Sequence, residues 1–193
     1  MPIPVDTKND ALDGLVFTHA SLHSAWPGST GSNEVTGGDY ARQPIEMDGA
    51  SGGVRGMVSS VTFSVAEDTI VRWVGLWDGN TFRAAMPNGG ATPKNFMAVP
   101  DTAAIYATSH GWEDGQEIAF FNGTPPGGLT EGTLYYVVNA AADSFKVAAT
   151  AGGATLAITS ASSFGCVVAA ITEDAYPSSG THQLTTGTVT IPD

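Results

Sequence analysis

The order of apolar and polar positions along the chain predicts short β-strands separated by turns. Val61, Phe63 and Val65 alternate with polar residues, which is the period of a strand with one buried face. In residues 70–77 both alternating sets are largely apolar, which predicts a central strand covered on two sides. Residues 78–80, Asp-Gly-Asn, then predict a hairpin turn, because Gly and Asn tolerate positive φ.

One helix is predicted, near the N-terminus. Asp6 is a residue type favoured at an N-cap, and Ala11, Leu12 and Leu15 follow at helical spacing within residues 7–15. The other apolar runs have the length of strands and are separated by Gly, Pro and Asn. Further strands are predicted at residues 117–121, 134–138, 145–149, 155–159, 164–171 and 184–191.

Composition favours a turn-rich β protein, and the charge restricts its partners. Gly, which is costly inside helices and useful in turns, accounts for 24 of the 193 residues. Seven Lys and Arg against 19 Asp and Glu give a formal charge of -12, so neither nucleic acid nor an anionic membrane is an expected partner. No apolar run approaches the roughly 20 residues of a membrane span. The first residues lack a signal-peptide pattern, so we expect assembly in a cytoplasm.

Few residues indicate chemistry. Cys166 lies in an apolar run and is predicted to be buried. His19 and His23 share one face, and a metal would need further ligands, of which Glu34 and Asp39 are the nearest candidates. Two hydrogen-bonded histidines on a half-exposed strand are therefore the favoured interpretation. We therefore predict no catalytic residue, no cofactor and no metal site. Three acidic pairs, which the sequence does not place opposite one another, fall in turns at residues 67–68, 113–114 and 173–174.

The most specific pattern is the stretch 21–42, SLHSAWPGSTGSNEVTGGDYAR. It resembles the signature of small structural proteins of tailed bacteriophages, usually labelled tail fibre or minor structural protein. Those relatives read S-L-H, a turn with P-G, T-G-x-N-E, a G-G pair and Y-A-R, and nearly every position is filled here. Trp26 departs from the pattern, because an acidic residue is usual there. The resemblance implies a virion component.

The resemblance extends over most of the chain. Residues 71–78, VRWVGLWD, are similar to the central strand of that family, and residues 91–94, ATPK, to the segment that follows it. Residues 184–191, LTTGTVTI, resemble its closing strand. Residues 129–147 are similar to a small β module that recurs in phage tail and fibre proteins.

Together with the turn pattern, the resemblance implies an all-β fold: an antiparallel β-sandwich with a short N-terminal helix and an inserted small β module. The sandwich is assigned to residues 1–100 and 172–193, and the module to residues 101–171. Insertion at a loop is tolerated where the loop ends are close and exposed. A tandem of two domains, with the last strand in the second, is the alternative.

The loop of the signature supplies most of the candidate interface residues. Asn33 is expected to set a turn, and Glu34 to accept a charge-assisted hydrogen bond from Arg42; contact with a partner is the alternative for this group. Tyr40 and Trp26 lie beside it, and both residue types are enriched at interface hot spots. For Trp26, an interface and local packing are equally favoured.

A further interface candidate lies in the second half of the chain. Trp112 belongs to a loop by composition, His-Gly-Trp-Glu-Asp-Gly, and is a candidate exposed anchor. Trp73 and Trp77 lie on the predicted central strand, where they are expected in the core rather than as a platform for a sugar.

Three functions remain open at this point. The favoured one is a non-enzymatic structural protein on the virion exterior, a capsid decoration (cement) protein that contacts the major capsid protein and forms a homo-oligomer, by analogy a trimer. The lack of heptads, G-X-Y triplets and other repeats argues against a fibre shaft. The second is a tail-fibre or tail-tip component that contacts other tail proteins and binds a host surface glycan. The third, a depolymerase, needs two carboxylates across a cleft.

Overall fold

The computed structural model describes residues 3–190 and is mostly β, with 40% strand and 6% helix. Its sheets are antiparallel and its described part has one short α-helix, which confirms the predicted all-β class. The chain divides into two compact units. Unit one consists of residues 1–90 and 173–193, and unit two consists of residues 91–172.

Unit two is therefore inserted in the sequence of unit one, but it begins earlier than predicted. The boundary lies after residue 90 rather than after residue 100. Residues 91–100 join unit two because Lys94 exchanges backbone hydrogen bonds of 2.8 and 3.1 Å with Val168, and because a strand at 97–99 pairs within this unit. The second boundary lies after residue 172, where 171 was predicted.

Unit one contains a helix and ten strands within the described residues. They are α1 (Val5–Asp13), β1 (His19–His23), β2 (Gln43–Pro44), β3 (Val54–Gly56), β4 (Val61–Val65), β5 (Thr69–Val71), β6 (Trp73–Asp78), β7 (Thr81–Pro87), β14 (Asp174–Tyr176), β15 (Gly180–Leu184) and β16 (Thr188–Thr190). Unit two contains β8 (Met97–Val99), a 3₁₀ turn (Pro100–Thr102), β9 (Ala104–Tyr106), β10 (Glu117–Phe121), β11 (Leu134–Val138), β12 (Ser144–Ala148) and β13 (Val167–Ala170).

The core of unit one lies between two layers of strands. A four-stranded sheet has the order β2-β1-β6-β7, and β4 pairs with β15 in a separate ladder. Ala20 and Leu22 of β1 and Val74 and Leu76 of β6 alternate onto one face of the sheet and pack in one cluster with Phe63 of β4. All five are buried, so this face is the hydrophobic interior of the unit.

The N-terminal helix differs in detail from the prediction. It begins at Val5, after Pro4, and Asp6 lies in its first turn, so the expectation that Asp6 is the N-cap was wrong. A carboxylate in the first turn still interacts favourably with the positive end of the helix dipole. Leu12 is fully buried, whereas Leu15 lies beyond the helix end and is exposed.

Two predicted strands of unit one are each divided into two. Residues 70–77 contribute to β5 and β6, which Arg72 separates because β5 pairs with β14 while β6 pairs with β1 and β7. The closing stretch 184–191 contributes to β15 and β16, which pair with β4 and β3. Residue 191 lies outside the described residues. Hydrophobic period alone does not show that neighbouring segments change partners.

Unit two is a six-stranded sheet with the order β13-β10-β11-β12-β9-β8. The Lys94–Val168 bridge links the segment before β8 to β13, so the two ends of the sheet meet. Ile118 and Phe120 of β10 pack with Phe145 of β12 in the interior cluster, which also contains Cys166. Cys166 is buried as predicted, and burial raises the pKa of its thiol to about 11.

The stretch from residue 150 to residue 166 is less regular than predicted. Residues 155–159 form no strand and are held by isolated bridges, Ala148 to Thr155 and Gly127 to Ser160. β13 begins at residue 167 rather than 164, because residues 163–166 form a turn in which the Cys166 amide donates to the Ser163 carbonyl at 3.3 Å.

Candidate functional site

The signature stretch folds over the second face of the sheet to which it belongs. Ser21 and His23 point away from the core of unit one, on the same face as Gly75 and Trp77 of the paired strand β6. The loop after β1 covers this face, so that a Cβ at Gly31 would lie 2.4 Å from the Trp77 ring. The central strand β6 is therefore buried on both sides, as its two apolar faces predict.

A relay of three hydrogen bonds runs through this covered face. The Trp77 indole N–H donates to Ser21 Oγ at 2.7 Å, and Ser21 Oγ lies 2.7 Å from His23 Nε2. His23 Nδ1 lies 2.8 Å from the Ser32 carbonyl, which only accepts, so the proton of the neutral imidazole is on Nδ1. Nε2 consequently accepts from the Ser21 hydroxyl, and every polar group of the relay is satisfied.

The residues Glu34, Tyr40 and Arg42 form a second group beside the relay. Arg42 Nε and Nη2 donate to the Glu34 carboxylate at 2.9 and 2.7 Å, so the predicted pair is present and is bidentate. The guanidinium carbon lies 3.3 Å from the centre of the Trp77 ring, a cation–π contact. The Tyr40 hydroxyl accepts from the Leu22 N–H at 2.8 Å and donates to Glu34 at 3.3 Å, and burial raises the pKa of Tyr40.

The hydrogen-bonded relay supports the fold and is closed to substrates. A serine bonded to a histidine is also the arrangement of a hydrolytic nucleophile and its base. Here both Ser21 and His23 have no exposed surface, and the Trp77 indole occupies one side of the hydroxyl. Burial lowers the pKa of His23, which keeps the imidazole neutral as a hydrogen-bonding element. A substrate does not reach these atoms.

The expected turn residues of the same loop also have partners inside unit one. Asn33 adopts φ +60° and its side-chain amide donates to the Trp26 carbonyl at 2.8 Å. The Trp26 ring meets Trp73 edge to face, with 4.7 Å between centroids. Trp73 and Trp77 are buried, which confirms the expectation that they belong to the interior. Of the two interpretations of Trp26, the structure favours local packing.

The acidic and histidine groups weighed for metal binding or acid–base chemistry are dispersed. Within residues 3–190, no group of three or more His, Cys, Asp or Glu side chains is placed to hold a metal ion. His19 Nδ1 lies 2.9 Å from Thr18 Oγ1. Glu173 is paired with Arg72, and Asp174 accepts from Asn88 at 2.8 Å, so both carboxylates have structural partners.

Trp112 lies apart from the signature loop, in unit two, beside a shallow open depression of about 530 Å³. Residues 111–114 and 140–142 line it. The Trp112 ring is half-buried, because its centroid lies 5.3 Å from the ring centroids of both His110 and Phe145. It is thus an anchor fixed to the interior of unit two rather than a freely exposed side chain.

Sequence reasoning missed two surface features. Phe164 was expected in a strand, but it lies on the turn at 163–166 and is fully exposed. Several aliphatic side chains of unit one are also exposed. The pattern of the sequence contains no signal for the first, because an apolar run with Gly and Cys reads as a buried strand. The aliphatic side chains are Ile3, Val5, Leu15, Val16, Val54 and Val58.

Comparisons with models of protein families, with curated proteins and with solved structures give no match to this chain. None of the helical segments in residues 3–190 has the length and apolar character that crossing a membrane requires.

Proposed function

We propose that this chain is a non-enzymatic structural protein of a tailed-phage virion, located on the exterior of the particle and acting as a capsid decoration protein. The proposal rests on the phage resemblance of residues 21–42 together with the hydrogen bonds and burial of their side chains. Tyr40 and Arg42 both donate hydrogen bonds to Glu34, and Ser21 and His23 are fully buried. The residues that carry the phage resemblance thus serve the framework of an all-β unit, which supports a shared fold rather than a shared active site.

The surface around α1 supplies contacts of the kind that docking on a capsid requires. Val5 lies on α1 and Val54 on β3, and these two elements are joined because the Arg55 guanidinium donates to the Leu12 carbonyl at 3.0 Å. Leu15 is also exposed beyond the end of the helix. Larger exposed apolar patches mark protein interfaces more often than single exposed side chains do. We assign this surface to the major capsid protein or to neighbouring copies in a homo-oligomer, for which we expect a trimer.

The copy number of this chain per purified virion tests the proposal. For a decoration protein we expect a number close to that of the major capsid protein, measured by quantitative mass spectrometry on the same particles. A number far below it would exclude decoration and place the chain on the tail. Its complete absence from purified virions would contradict both locations.

The docking surface is tested with Leu15→Glu/Val16→Glu. Because each change places a carboxylate on an exposed aliphatic position, we expect capsid occupancy to fall by about tenfold while the fold is kept. Thr181→Glu/Gln183→Glu, at exposed positions of β15, adds the same charge elsewhere in unit one and is the matched control. Equal occupancy of the two variants would exclude this surface.

The depression beside Trp112 supports a second candidate, a tail-fibre or tail-tip component that binds a host glycan. An aromatic ring at the edge of an open depression is a surface on which a sugar ring can stack. Adhesion of the purified chain to host cells tests this candidate, with Trp112→Ala compared with Trp26→Ala. Adhesion lost only in Trp112→Ala would support it, and lack of adhesion by the natural chain would exclude it.

A further inference from the structure

The walls of the depression in unit two are held by hydrogen bonds within the chain. Asp114 Oδ1 accepts from the Ala140 N–H at 2.7 Å and so ties its two walls together. The Gly115 N–H donates to the Val137 carbonyl at 2.8 Å, and the Ala141 N–H donates to the Ser144 carbonyl at 2.8 Å. Both walls are therefore fixed to strands of the sheet, and a ligand would bind without ordering them.

The lining of the depression has a clear chemical bias. Its side chains are the Trp112 indole, the carboxylates of Glu113 and Asp114, and three alanine methyl groups. Within residues 3–190, both oxygens of Glu113 and the second oxygen of Asp114 receive no hydrogen bond. The lining contains neither Lys nor Arg, and the formal charge of the chain is -12. A ligand must therefore bring hydrogen-bond donors or positive charge to this place.

Of these two kinds of ligand, the aromatic ring favours the one that carries a positive charge. A cation is attracted to the face of an indole by the ring quadrupole, and Trp is the strongest of the aromatic side chains in this respect. Two carboxylates next to the ring add Coulomb attraction for the same ligand. The small alanine side chains leave room for the methyl or methylene groups that surround an alkylated nitrogen.

We propose that this depression is a binding site for an alkylammonium group, with Trp112 supplying the aromatic face and Glu113 and Asp114 supplying the counter-charge. The inference stands whether the chain lies on the head or on the tail. If the chain binds a host receptor at this depression, the site selects a receptor group that carries a positively charged nitrogen.

The probe is choline, titrated into the full chain and followed by the backbone amide resonances of residues 111–114 and 140–142 and by the Trp112 indole N–H. We expect saturable shifts confined to these resonances. The neutral isostere 3,3-dimethylbutan-1-ol, in which carbon replaces the nitrogen, is expected to bind about tenfold more weakly. Equal binding of the two compounds, or the lack of any saturable shift up to about 50 mM choline, would overturn the proposal.

Charge-neutral variants separate binding from folding, because Trp112→Ala would also remove packing against Phe145. Glu113→Gln/Asp114→Asn keeps the size of both side chains, and Asn retains an acceptor for the Ala140 N–H. We expect it to weaken choline binding about tenfold. Glu67→Gln/Asp68→Asn, an exposed pair in unit one, changes the formal charge by the same amount and should leave binding unchanged.

Loss of choline binding in both double variants would show that choline is attracted only by the overall charge of the chain, and would overturn the proposal. Saturable binding of methyl α-glucoside without binding of choline would also overturn it, while leaving the glycan-binding candidate in place. Choline binding without adhesion to host cells would support the site and exclude receptor binding as its role.

Discussion

Gly75→Ala is expected to lower the free energy of unfolding by about 3 kcal/mol or more, the upper end of the usual cost of overpacking a core. A Cβ at this position would lie 2.5 Å from both His23 Nε2 and Ser21 Oγ, and 2.9 Å from the Phe82 ring. Neither polar atom can move away freely. Ser21 Oγ would lose its hydrogen bond from the Trp77 indole, and both Ser21 and His23 are fully buried in packed surroundings. The change therefore breaks a satisfied relay as well as a close contact.

Urea unfolding followed by tryptophan fluorescence measures this effect, since three of the four tryptophans lie in unit one. Gly49→Ala is the matched control, because a Cβ there meets nothing within 4 Å. We expect its free energy of unfolding to stay within about 0.5 kcal/mol of the natural chain. Gly75→Ala as stable as Gly49→Ala would contradict the close packing of the relay.

The second large effect is a loss of stability on mild acidification. Burial lowers the pKa of His23 below its ordinary value of 6.5, while Glu34 opposes and Arg42 assists that shift. Burial also lowers the pKa of His182, with Asp174 opposing it. A lowered pKa in the folded chain means that the unfolded chain binds more protons below pH 6.5, so stability falls as pH falls.

Each of these histidines then reduces the free energy of unfolding by up to about 1.4 kcal/mol per pH unit, from pH 6.5 down to its folded pKa. Protonation of His23 would also place a second N–H against Ser21 Oγ, whose alternative acceptor, the Gly75 carbonyl, lies at 3.5 Å. Urea unfolding at pH 7.5, 6.5 and 5.5 measures the loss.

His182→Gln should reduce the slope of stability against pH relative to the natural chain. His182 lies 2.9 Å from the Tyr176 hydroxyl, so the variant has its own cost at neutral pH and only the slopes are compared. A free energy of unfolding that is constant between pH 7.5 and 5.5 would contradict the lowered pKa of both His23 and His182.

Gly75 contacts Ser21 and His23, so the first effect and the His23 part of the second concern the stretch 21–42 that carries the phage resemblance. If Gly75 and His23 control stability, residues 21–42 act by holding loop and sheet together. Function would then depend on surfaces elsewhere, namely the aliphatic side chains near α1 and the depression beside Trp112. The virion measurement and the choline titration address these two surfaces separately.

The sequence by itself determined the class of fold and several of its strands. Alternation located β4, and strand-length apolar runs located β10 and β11 at their observed bounds, because period and length are local properties of the chain. It also predicted that Trp73, Trp77 and Cys166 are buried and that Glu34 bonds Arg42, since residue type and proximity in sequence suffice for these statements.

Only the tertiary structure decided how distant segments pair and which surfaces remain open. β5 and β6 are separate strands because β5 pairs with β14 near the end of the chain and β6 pairs with β1 near its start. Unit two begins at residue 91 because Lys94 pairs with Val168. The relay from Trp77 to Ser32 joins residues 45 positions apart, and the depression joins two loops of unit two. Such contacts depend on strand order and register, which the period of a single segment leaves unspecified.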